Sequence, residues 1–232
     1  MLTPASRLIR NSRQLTLLAS LVLASLVCIG LLMLRAMHAG NSHYVWLVWN
    51  LSLAWFPTAS AVVAYNIHNE DSKLRGFLVL ICATGWFLFF PNAPYLITDL
   101  MHLHARPDAP FWFDMLLLIA FAWTGFFLGL ISLLLMQEIV RRVFGAGLSW
   151  CFAFAMLGLG SFGIYLGRFL RWNSWDVWSN PLRLFFDIAH QVRHPLMHAQ
   201  TVAFSVLFGF FLVAMYLTLT AVMNFHQEVR RS

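Results

Sequence analysis

Residues 115–137 read MLLLIAFAWTGFFLGLISLLLMQ, a run with no aspartate, glutamate, lysine or arginine. As a helix rising 1.5 Å per residue it is about 34 Å long, enough to cross a hydrocarbon core of about 30 Å. Lipid offers the backbone no hydrogen-bond partners, so a spanning segment must be a helix or part of a closed barrel. Barrel strands alternate apolar and polar residues over about ten positions. No such alternation occurs here, and the stretch reads as a membrane-spanning helix.

Five further runs have the same character: Leu15–Leu34, Tyr44–Ile67, Leu74–Phe90, Leu148–Leu166 and Ala199–Phe225. With Met115–Gln137 they make six spans, and the expected fold is an all-α polytopic membrane protein forming one integral domain over residues 1–232. The composition agrees. The chain is 60% hydrophobic and 10% charged, with a mean hydropathy of +0.73, whereas a soluble domain is about 45–50% apolar and about 25% charged. Soluble, disordered, collagen-like and disulfide-scaffold classes are excluded. Cys28, Cys82 and Cys151 each fall inside an apolar run with no Cys-x-x-Cys spacing, and they read as small buried hydrophobes.

Basic residues set the expected orientation. Arg7, Arg10 and Arg13 precede the first run, which at 20 residues is too long for a signal-peptide core of about 7–15. It reads as an uncleaved helix. Arg7, Arg10, Arg13, Lys73, Arg75, Arg141, Arg142, Arg230 and Arg231 fall on one side; Arg35, Arg106, Arg168, Arg171, Arg183 and Arg193 fall on the other. Nine bases against six place both termini in the cytoplasm. The two longest connections, Pro91–Pro110 and Gly167–His198, then face outward. The net charge of +6 serves orientation, and no nucleic-acid partner is implied.

The third run is short, 17 residues or about 25 Å. Pro91 and Pro94 follow it and oppose helix continuation. Two readings stay open: a broken helix whose freed backbone lines a polar cavity, or a helix that ends at the interface. Beyond the prolines, Thr98 or Asp99 can cap a short helix, with Asp99 and His102 one turn apart. A carboxylate beside an imidazole suits proton transfer or metal ligation; a cap beside a solvated histidine is the plainer account. Asp114 opens the fourth span behind Phe111-Trp112-Phe113. There it is a site residue or complements the helix N-terminus.

The densest polar run is Gly167-Arg168-Phe169-Leu170-Arg171-Trp172-Asn173-Ser174-Trp175-Asp176. Arg168 and Arg171 share a helix face and can fork onto phosphate or carboxylate. An interfacial anchor needs the tryptophans and one arginine, but not Asn173, Ser174 and Asp176 as well. Asn180 and Pro181 then start a short helix to Arg193. Leu182, Phe185, Phe186, Ala189 and Val192 line one face, with Arg183, Asp187, His190 and His194 opposite. That pattern is an amphipathic helix on the outer leaflet. Asp187, His190 and His194 also have metal-ligand spacing, although a solvated face with an Arg183–Asp187 pair is the plainer account. Asn50, Thr58 and Ser60 read as interhelical hydrogen bonders. Gly125-x-x-x-Gly129 and Gly163-x-x-x-Gly167 read as close-packing surfaces.

Asn92-Ala93-Pro94-Tyr95, Thr98-Asp99, Trp112-Phe113-Asp114 and the run from Gly167 to Asp176 resemble an uncharacterised bacterial multi-pass membrane family, the domain of unknown function numbered thirteen sixty-one. The likeness covers roughly spans two to six and is most specific at Arg171-Trp172-Asn173-Ser174-Trp175-Asp176. It implies a bacterial inner-membrane protein and brings no activity, cofactor or catalytic residue with it.

The expected site is an outward-facing cluster. Asp99, His102, Asp114 and Asp176 are its candidate catalytic groups, and Arg168, Arg171 and Asn173 its candidate substrate contacts. The first functional expectation is an enzyme acting on an anionic lipid or lipid-linked substrate. The rivals are a transporter of a small polar or anionic solute and a non-catalytic assembly partner. Spans four to six lack internal charges and no internal repeat is visible, which disfavours transport. An assembly partner explains the packing but not so many ionisable residues together.

Overall fold

The computed structural model describes residues 4–70, 73–194, 197 and 199–229, with the backbone alone at 4–11, 13 and 226–229. Arg230, Arg231, His198 and the side chains of Arg7, Arg10 and Arg13 lie outside the described residues. The described chain is helical, with one isolated bridge between Arg106 and Ala109 and no strand. The helices are α1 Pro4–Ala39, α2 Trp46–His68, α3 Arg75–Phe89, α4 Asn92–Thr98, α5 Phe111–Phe144, α6 Ala146–Phe169, α7 Asp176–Ser179, α8 Pro181–Arg193 and α9 Ala199–Val229. A 3-10 turn, Asp99–His102, extends α4. Among the described residues six stretches are long and apolar enough to cross a membrane, one at each of the expected runs.

The third span does not stop at its prolines. The interruption is only Phe90 and Pro91 wide, and helix resumes at Asn92. Pro94 is tolerated because it falls in the first turn of α4, where its missing N–H would have had no intrahelical partner. Thr98 makes no capping bond to the 3-10 turn; its hydroxyl donates back to the Tyr95 carbonyl at 2.6 Å. Asn180 likewise sits at the N-terminus of α8 without a side-chain capping bond, and Pro181 supplies the pre-set first helical position.

The chain forms two compact units. One comprises the residues up to Phe56 with Asn92–Gly129; the other comprises Pro57–Pro91 with the residues from Leu130 onward. In the first unit, α4 lies against the glycine face of α5. A Cβ on Gly125 would meet the Ala93 carbonyl oxygen at 2.7 Å, and one on Gly129 would meet Pro94 at 3.1 Å. Trp55 Nε1 donates to Ser25 Oγ at 3.0 Å, and Cys28 Sγ lies 3.3 Å from Thr124 Oγ1. These contacts tie α1 to α2 and α5 by polar bonds in an apolar setting.

In the second unit, the glycine face of α6 is used at Gly160 and Gly163, against the Phe90 ring and Pro91. Ser161 Oγ donates to the Ser205 carbonyl of α9 at 2.8 Å, and Phe169 packs edge-on to Phe204 at 5.2 Å. Ser60 Oγ bonds the Cys82 carbonyl at 2.7 Å, and Trp86 Nε1 bonds Ser132 Oγ at 3.1 Å. At the far end of α5, Arg142 reaches Glu138, Asn69 and the Tyr65 hydroxyl. Cys28 is buried, as expected; Cys151 is instead exposed on α6, a placement a thiol tolerates on a lipid-facing surface because it behaves as a small hydrophobe.

Candidate functional site

The first unit holds Arg35, Asp108 and Asp114 in one hydrogen-bonded cluster. Arg35 lies one turn before the end of α1 and Asp114 in the first turn of α5. Each charge complements its own helix terminus, and the two pair. Arg35 Nε donates to Asp114 Oδ1 at 3.0 Å and Nη2 to Oδ2 at 3.4 Å, both side chains being 1% exposed. Gly40, at φ +63°, turns the chain immediately after α1 and brings Asn41 Oδ1 onto Arg35 Nη1. Asp108, 28% exposed, accepts from Arg35 Nη2 at 3.2 Å and from Asn41 Nδ2. The Asn41 bond, with Arg35 adding to it, holds the Asp108 carboxyl below its usual range.

Tyr44 closes the cluster. It is fully buried, and the guanidinium carbons of Arg35 and Arg106 lie 5.0 Å and 5.6 Å from its ring centroid. Burial pushes its phenol above the ordinary range. Its hydroxyl donates to the His102 carbonyl at 3.4 Å. The imidazole of His102 sits edge-on to Trp46 at 5.1 Å. Asp99 is fully buried and accepts from Asn50 Nδ2 at 3.0 Å. Of the expected catalytic groups, then, Asp99 and His102 are brought to the same 3-10 turn, one inside and one exposed. Asp114 is committed to Arg35.

Arg35, Asn41, Tyr44, Arg106 and Asp108 were not among the expected site residues. A signal for the first was present: an arginine directly after the apolar run ending at Leu34, with the helix pattern continuing, needs a partner. Nothing in the sequence names that partner as Asp114.

The second unit carries the remaining expected residues. Arg168 stands half-buried in the last turn of α6. Arg171 follows at φ 60°, the left-handed region that glycine normally occupies, and Trp172 N–H returns to the Leu166 carbonyl at 3.1 Å. Arg171 is exposed and has no hydrogen-bond or ion-pair partner among the described residues. Asp176 is used locally: Oδ2 accepts from Asn173 N–H at 2.7 Å and Oδ1 from Ser179 Oγ at 2.9 Å. Those bonds shape the turn that opens α7. Trp175 and Trp178 are exposed beside it.

Asp187 of α8 takes the Trp172 indole N–H at 3.1 Å, and Arg183 lies over the Trp172 ring at 5.7 Å instead of pairing with Asp187. His190 and His194 rings are 5.3 Å apart. Among the described residues no group of three or more His, Cys, Asp or Glu gathers as a metal would require, so the metal-like spacing of Asp187, His190 and His194 is not realised as a ligand set.

Residues 49–215 match the family described as Protein of unknown function (DUF1361). The chain belongs to that family. The matched region contains Asn50, Asp99, Asp114, the Arg168–Asp176 segment and α8, while Arg35, Asn41 and Tyr44 precede it. In this DUF1361 chain the buried pair thus joins a matched residue to one outside the match. No curated protein and no solved structure matches the chain.

Proposed function

We propose that this six-span protein recognises a phosphate-bearing headgroup, of an anionic lipid or a lipid-linked molecule, through the segment Arg168–Asp176. The observation that carries the reading is Arg171. A non-glycine residue in the left-handed region costs about 1–2 kcal/mol, and such strain collects at functional positions. Here it presents an exposed guanidinium without a partner among the described residues. The guanidinium fork matches phosphate oxygens in a way an ammonium does not. Trp175 and Trp178 set the segment at headgroup level. Because Asp176 is occupied in its own turn, the segment is built to bind. The acid–base pair expected at Asp99 and His102 belongs to the other unit and takes no part in this reading.

The test is native mass spectrometry of the detergent-purified chain with phosphatidylglycerol, phosphatidylcholine or inorganic phosphate. Retention of phosphatidylglycerol over phosphatidylcholine is expected for the wild type, and phosphate alone binding equally well would identify a soluble ligand. Arg171→Gly should raise stability by about 1 kcal/mol, by relieving the strained backbone, and lose anionic retention. Arg171→Lys should fall between. Undiminished retention in Arg171→Gly overturns the reading.

The proposed orientation puts both termini in the cytoplasm and this segment outside, from the basic-residue count. A reporter fused after Ser232 should be cytoplasmic and one inserted near Pro107 external; a cytoplasmic Pro107 reporter reverses the assignment.

A further inference from the structure

Helix α8 leaves a row of large apolar side chains uncovered by the protein. At 100° per residue, Leu182, Phe185, Phe186, Ala189 and Val192 fall within about 120° of its circumference, and Arg183, Asp187, His190, Gln191 and His194 share the opposite side. The side engaged by the second unit mixes polar and apolar groups: Leu184, Asp187, Ile188 and Gln191 are half-buried, while Arg183, His190 and His194 stay exposed. Asp187 holds the Trp172 indole, Arg183 lies on the Trp172 ring, and Gln191 accepts from the buried Thr201 hydroxyl at 2.7 Å. The apolar side is left outward, with Leu182 at 73%, Phe185 at 65%, Phe186 at 67% and Val192 at 66% exposed.

The surroundings say what covers it. The spanning helices before and after it in sequence, α6 and α9, have apolar outward residues, Leu159, Val206 and Phe210 among them. The medium around this unit is therefore hydrocarbon. Only five residues, 194–198, separate α8 from α9. Fully extended they reach about 18 Å at most, so α8 is held near the level at which α9 enters the membrane. Trp175 and Trp178, exposed just before it, are the residue type that sits at that level. Arg193 falls inside that arc at the C-terminal end of the helix, and its stem is long enough to carry its charge up to the headgroups.

We infer that α8 lies flat in the membrane interface, with the Leu182–Phe185–Phe186–Val192 face in the upper acyl chains and the Leu184–Asp187–Ile188–Gln191 side directed at its own protein, so that the partner of the apolar face is the lipid bilayer. Such a helix binds through apolar area at the headgroup boundary. It also forms a fixed, lipid-covered ledge between the fifth and sixth spans. The inference is independent of Arg171, and the substitution Arg171→Gly should leave it untouched.

Nitroxide scanning tests it. In a full chain with Cys28, Cys82 and Cys151 replaced by alanine, single cysteines at Leu182, Phe185, Phe186 and His194 are spin-labelled. The chain is then reconstituted at low protein-to-lipid ratio. Collision rates with oxygen, which enriches in lipid, should exceed those with a water-soluble nickel chelate several-fold at Leu182, Phe185 and Phe186, and the order should reverse at His194. Nickel access at the three apolar positions overturns the inference. So does spin–spin coupling at Phe185 that disappears on dilution with unlabelled protein, because the face would then be covered by a second copy of the chain. Agreement between two of the three apolar positions guards against one label disturbing the helix.

Discussion

Arg35→Met, with Asp114 left in place, should destabilise the folded protein by about 3–5 kcal/mol, because it strands a carboxylate that is 1% exposed. The cost comes from the stranded charge more than from the lost attraction. The double variant Arg35→Met with Asp114→Leu should therefore recover most of the loss, since a buried ion pair replaced by apolar groups of similar size is often neutral or better. Asp108→Asn should cost far less: Asp108 is part-exposed and Asn41 still bonds to Arg35. Thermal unfolding in detergent, followed by tryptophan fluorescence, gives the ranking. A single variant at Arg35 as stable as the double would show that the pair does not carry this end of the unit.

The second large effect concerns the glycine face of α5. A Cβ at Gly125 would lie 2.7 Å from the Ala93 carbonyl oxygen and 3.0 Å from Leu96. The first of these is backbone and cannot turn away. Gly125→Ala should therefore push α4 off α5 and cost about 1–3 kcal/mol, the range for overpacking. Gly158→Ala on α6 is the matched control. Nothing lies within 4 Å of a Cβ there, and the gain in helix propensity should stabilise by up to about 1 kcal/mol. Opposite signs for the same substitution in two spanning helices would locate the effect in the seat for α4. A loss of similar size at both positions would mean that glycine serves helix flexibility, not the fit of Ala93 and Leu96.

The two glycine motifs illustrate how far a spacing can be read. Gly125 and Gly129 are close-packing surfaces, as their separation implies, yet what packs on them is the short helix after the interrupted third span. On α6 a close contact falls at Gly163, which belongs to the expected motif, and another at Gly160, which does not. A glycine announces that something approaches closely. It carries no side chain with which to specify what.

The six spans were legible because each is decided locally. Eighteen or more apolar residues in lipid have one way to satisfy their peptide groups, and neighbours do not alter that. The amphipathic period of 181–193 was legible for the same reason, as was the role of Asn50 as a bonder between helices. The third span was only half legible. Proline weakens a helix wherever it stands, but whether helix resumes two residues later depends on Ala93, Pro94 and Leu96 finding a seat on α5. The partner of Asp114 was not legible at all. Six arginines were candidates for the outer side, and the one that meets it, Arg35, lies 79 residues away in the chain. Charge attraction is too long-ranged and unspecific to choose among them in sequence; the choice was made by the packing that brings the end of α1 to the start of α5. The same holds for Arg171. Its type and spacing made it a candidate anion fork, but only the tertiary structure leaves it exposed on a left-handed backbone while Asp176 closes a turn and Asp187 is taken by Trp172.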